Sequence, residues 1–160
     1  MSRFRQRLAA LPPAGCLLTP ASSRVLLLTG QSSFRSSVLR PEQFAFLSAV
    51  APPGAVPLDA GFPFHADFLS PSPNSPGLLA ASWRNALQVF WSMRDTTFTA
   101  HVAARLQQAA AATSRRLILI TGSCGLQLAN AAWPALHLPH RLRIDVVALG
   151  PASFGPLHVP

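Results

Sequence analysis

The stretch "RRLILITGSCGLQLANAAWPAL", Arg115 to Leu136, decides the fold. Leu117 to Ile120 form an unbroken apolar run of the kind found in strands covered on both faces. The run breaks at Thr121-Gly122-Ser123-Cys124-Gly125 and resumes in a helix-like pattern from Gly125 to Leu136, stopped by Pro134 or soon beyond it. A strand feeding a helix through a tight turn is the repeating unit of a parallel α/β sheet. The turn also sets one hydroxyl and one thiol side by side.

Working outward, "RVLLLTGQSS" from Arg24 repeats the motif of a short apolar run ended by a glycine, Gly30. "RPEQFAFLSAVAPPG" follows, with Pro41 at a helix start, Phe44, Leu47 and Val50 at helical spacing, and Pro52-Pro53-Gly54 as the stop. "AVPLDAGFPFH" is a strand weakened by Pro57, which suits a strand start or an edge. Beyond a loop rich in Pro, Ser and Asn, Leu79, Trp83, Leu87 and Phe90 recur three or four apart, and a second run carries Phe98, Val102, Leu106 and Ala109. Asp95 supplies N-cap chemistry between them, predicting two helices joined there. "RLRIDVVALGP" is the last strand. Alternating strands and helices predict a three-layer α/β/α domain with a mostly parallel sheet whose central strands include 25–28, 117–120 and 144–148. The expected organisation is an N-terminal arm over residues 1–23 and a single domain over 24–160.

The 160 residues are 49% hydrophobic and only 11% charged, a composition that points to a packed core, with no apolar run as long as a membrane span. All 13 basic residues are arginine, against five acids, giving a net charge of +8. The absence of lysine and tyrosine beside abundant Ala, Pro and Arg reads as codon bias of a GC-rich genome. The arginines are spread along the chain and accompany no nucleic-acid-reading module, so no specific nucleic-acid partner is expected. Cys16 and Cys124 form neither a disulfide framework nor a zinc site, and a reduced, cytoplasmic setting in a bacterium is the expectation. The Arg-rich, acid-free opening has the composition of a transit peptide but reads as an amphipathic start in an acid-poor chain. With no HExxH, no CxxC and no cluster of carboxylates, neither a metal nor another cofactor is expected.

The chemistry concentrates at the turn. A serine nucleophile between strand and helix needs small residues two before and two after it, as in G-x-S-x-G. Around Ser123 those positions hold Thr121 and Gly125, whereas around Cys124 they would hold Gly122 and the larger Leu126. Ser123 is therefore the expected nucleophile. Were the thiol the reactive group instead, the helix end would tend to lower its pKa.

On this pentapeptide and on "VLLLTGQSS", the chain over about residues 24–151 resembles the α/β-hydrolase superfamily. The resemblance implies a serine esterase or thioesterase acting on a small-molecule acyl substrate. It further implies an oxyanion hole drawn from Cys124 and from Gln31, in the loop after the earlier strand. His158 would be the base, and Phe62 and His65 in "GFPFHADF" would shape the substrate pocket. The family's order of Ser, then acid, then His is incomplete here, because the nine residues after Pro151 hold His158 but no carboxylate. Asp145 lies within the apolar strand run, out of the acid's place, so either the chain is a C-terminally shortened hydrolase, or a non-standard residue fills the role, or the turn has become structural. His101, His137 and His140 read as a helix histidine and two loop histidines, and Trp83, Phe90 and Trp91 as core. The competing reading is a catalytically silent α/β domain that acts by binding or as a homodimer, closing an uncovered sheet edge.

Overall fold

A computed structural model of the protein describes residues 6, 18–31, 33, 36–61, 77–151 and 153–155. Four strands, β1 (Ala21–Leu28), β2 (Ala55–Pro57), β3 (Thr113–Ser123) and β4 (Arg143–Pro151), form one sheet in the order β2-β1-β3-β4. Every pairing in that sheet is parallel. The helices are α1 (Pro41–Val50), α2 (Leu78–Arg94), α3 (Thr96–Ala111) and α4 (Gly125–Ala132), with a short 3-10 turn at Trp133–Ala135. This is an α/β fold.

The two faces of the sheet follow from the period of two along a strand. Val25 and Leu27 of β1 and Ile118 and Ile120 of β3 point to one side, where Leu47 of α1 packs. Leu26, Leu28, Leu117 and Leu119 point to the other, against Trp91 of α2, Phe98, Val102 and Leu106 of α3, and Leu128 of α4. Helices therefore cover both faces, which is why β1 and β3 read as unbroken apolar runs. Trp91 and Phe98 meet edge to face with ring centroids 5.5 Å apart, joining α2 to α3. Asp95 ends one helix and caps the next, accepting hydrogen bonds from the N–H groups of Thr97 at 3.0 Å and Phe98 at 3.1 Å.

Three expectations change. β4 is not central: among the described residues it is an edge strand, with Val147 and Leu149 exposed. Its apolar run reflects contact with β3 along one side rather than cover all round. On α1 only Leu47 is buried, while Phe44 and Val50 are exposed, because a ten-residue helix laid over one sheet face presents a narrow stripe to it. On α2, Leu79, Trp83 and Phe90 face outward, and Gln88, Trp91 and Ser92 face inward. Apolar residues occur all round α2, and its inward face is selected by the bonds of Gln88 and the packing of Trp91 rather than by hydrophobicity. Pro57 does lie on an edge strand, where its missing N–H costs no ladder bond.

β1 and β3 are neighbours, yet the chain leaves β1 towards β2 by way of α1 and leaves β3 towards β4 by way of α4, on the opposite face. Their C-terminal ends form the switch point of the sheet. In open α/β sheets such a switch point is where ligands bind.

Candidate functional site

Ser123 stands at that switch point, at the C-terminal end of β3, and is exposed. Its φ of 48° makes it the one non-glycine residue of positive φ among the described residues. That conformation costs on the order of 1–2 kcal/mol for an L-residue and persists only where the surroundings enforce it. The enforcement is visible. Gly125, which opens α4, runs so close to β1 that a Cβ there would lie 1.6 Å from the Leu28 carbonyl oxygen. α4 can begin this tightly against the sheet only because position 125 carries no side chain, and the chain between strand and helix must turn within Ser123 and Cys124.

Cys124 faces the other way. Its side chain is buried, and its Sγ–H donates to the Thr29 carbonyl at 3.4 Å. Burial pushes the thiol up to about 12, with a backbone hydrogen bond opposing weakly. The lowering expected from the helix end is thus overridden by desolvation, and the thiol is a structural bridge from the β3–α4 turn to the loop after β1. The Cys124 N–H belongs to the first turn of α4, where a helix leaves N–H groups without intrahelical partners.

The loop after β1 is held from α2. Gln88, fully buried, accepts from the Gln31 N–H at 2.8 Å through Oε1 and donates to the Gln31 carbonyl at 3.0 Å through Nε2, as a neighbouring strand would. The Gln31 side-chain amide donates to the carbonyls of Ser33 and Ser36. Gln31 was expected to offer an oxyanion-hole donor, but its N–H and both amide hydrogens are engaged within the protein. Three residues before Gln88, on the same face of α2, Asn85 donates from Nδ2 to the Ser123 hydroxyl oxygen at 3.2 Å.

Asn85 and Gln88 escape a reading based on motifs. The available signal was the polar series Asn85, Gln88, Ser92 at helical spacing within an otherwise apolar segment. Phe62, His65 and His158 lie outside the described residues. Asp145 sits out on β4, where Arg116 donates to it at 2.5 Å and Arg143 at 2.9 Å. Among the described residues no three His, Cys, Asp or Glu side chains gather as metal ligands, and no helix is long and apolar enough to cross a membrane. No protein-family model matches the chain, and neither a curated protein nor a solved structure matches it.

Proposed function

We propose that the protein is an α/β-hydrolase-like acyl hydrolase, of esterase or thioesterase type, with Ser123 as nucleophile. The observation that carries this reading is the positive φ of an exposed serine, alone of its kind among the described non-glycine residues, on a strand-to-helix turn at the switch point of a parallel sheet. A merely structural connection would be served better by glycine or asparagine at that φ. In the proposed reaction Ser123 Oγ bonds to the acyl carbon, and the carbonyl π pair moves onto oxygen, facing the Cys124 N–H. The hydroxyl proton passes to His158, the base in this reading. Collapse expels the alcohol or thiol, which takes that proton, and water then releases the acid by the reverse sequence. Phe62 and His65 would line the acyl pocket.

The test is a fluorophosphonate probe, with the labelled residue identified by mass spectrometry. Labelling at Ser123 above the rate of the unfolded chain, lost in Ser123→Ala with the melting temperature within about 2 °C of wild type, supports the reading; no such labelling refutes it. A second reading, a catalytically silent domain that pairs with a copy of itself, is favoured by the exposed Val147 and Leu149 on β4. It expects no labelling and a dimer in sedimentation that Val147→Lys dissociates.

A further inference from the structure

We propose that the Asn85 side-chain amide, rather than the loop after β1, supplies the second oxyanion donor at Ser123. The inference rests on the nucleophile reading above and adds a residue to it from outside the strand-turn-helix unit. Three observations converge. The loop has no donor to give at Gln31, whose N–H is held by Gln88 and whose amide hydrogens are held by Ser33 and Ser36. Asn85 Nδ2 is already in hydrogen-bond contact with Ser123 Oγ at 3.2 Å. Its Oδ1 is buried and without a hydrogen-bond partner among the described residues, so no protein group holds the amide in the opposite sense.

The carbonyl oxygen of a bound acyl group is attached to the carbon that Oγ attacks, so the amide that touches Oγ in the resting protein lies beside the position of the developing oxyanion. Nδ2 carries two hydrogens. One holds Oγ by a lone pair, which leaves the serine proton free to point to a base, and the other is available to the oxyanion. The amide is also fixed in place. A Cβ at Gly30 would come within 3.1 Å of Asn85 Oδ1, so the loop closes on the oxygen end and leaves the nitrogen end towards Ser123. Asn85 and Gln88 are then two parts of one device on α2, the first donating to the reacting atoms and the second closing the loop whose N–H would otherwise do so. A pre-positioned donor of this kind acts on the transition state and not on the bound ester.

The experiment measures the second-order rate of fluorophosphonate labelling, and kcat and KM for p-nitrophenyl butyrate, in the wild type, Asn85→Ala and Asn85→Asp, with melting temperatures alongside. Asn85→Ala should slow labelling and kcat by about 100-fold, with KM within a factor of about two. Asn85→Asp, nearly isosteric, should slow both at least as much, because a carboxylate repels the oxyanion. Labelling of Asn85→Ala within about threefold of wild type overturns the proposal, as does an Asn85→Asp protein as fast as wild type, which would mean that the group at 85 accepts from the serine hydroxyl instead of donating. Should Asn85→Ala fail to fold, the Asp variant decides alone. If the wild type itself is not labelled at Ser123, the nucleophile reading fails, and this inference falls with it by a result different from the one that would sink it alone.

Discussion

Ser123 and Cys124 are adjacent, but the turn sends one side chain to solvent and the other into the protein. Reactivity follows that division. With its pKa raised to about 12, the Cys124 thiol is ionised to roughly one part in ten thousand at pH 8, and access is closed as well. Iodoacetamide should therefore alkylate Cys124 in the native protein at pH 8 at least about 100-fold more slowly than in urea-unfolded chain. Peptide mapping after timed quenching reads the rate, and fast native alkylation would contradict the buried bridge to Thr29. The pentapeptide marks position 125 as one that must be small, and the crowding that requires it comes from Leu28 of β1. The thiol's direction was not legible, since it depends on the β1 loop, which lies about 95 positions earlier in the chain.

Between elements, the tightest approach is that of α4 to β1 at Gly125. Gly125→Ala would force a methyl group into the Leu28 carbonyl, and neither helix nor strand can yield, since both are packed on the core. A loss of at least about 2 kcal/mol is expected, which for a chain of this size lowers the melting temperature by about 5 °C or more. Calorimetry checks it, and a change under about 1 °C would show that α4 can slide. Periodic local patterns gave the α1 boundaries, the Asp95 break between α2 and α3, and the apolar spans of β1 and β3, each set within a few residues of chain. What escaped was relational. The edge position of β4, the outward turn of Leu79, Trp83 and Phe90, and the inward turn of Asn85 and Gln88 depend on which face of an element meets its neighbours.

At the scale of the whole molecule, two of the described side chains, His101 and Asp145, tie stability to acid pH. His101 on α3 is held below its ordinary value of 6.5 by burial, then by the Arg105 charge, with Asp95 opposing. The unfolded chain therefore takes up a proton there more readily than the folded one, and stability should fall as pH drops below about 6.5. His101→Gln should flatten that part of the profile. Asp145 is held below its ordinary 3.8 chiefly by the hydrogen bond from Arg116, against a desolvation cost and with help from Arg143. Its contribution is present above that value and disappears as the pH falls through the lowered folded one. Because both arginines are largely solvated, with 40% and 71% of their side chains exposed, Asp145→Asn should cost less than about 1 kcal/mol at pH 7. The cost should shrink as the pH falls below 3.8, as urea titrations at pH 7 and in acid would read. The strand order has a further consequence in time. β1 meets β2 over only three residue pairs, and its long partner is β3, where Leu27 lies beside Ile120 about ninety positions later. At about 5–20 residues per second of synthesis, the apolar stretch Val25 to Leu28 leaves the ribosome some 5–20 seconds before the strand that covers it exists. For that interval the nascent chain carries the apolar stretch Val25 to Leu28 without its long partner, covered at most by α1 and the short β2 until Ile118 and Ile120 arrive.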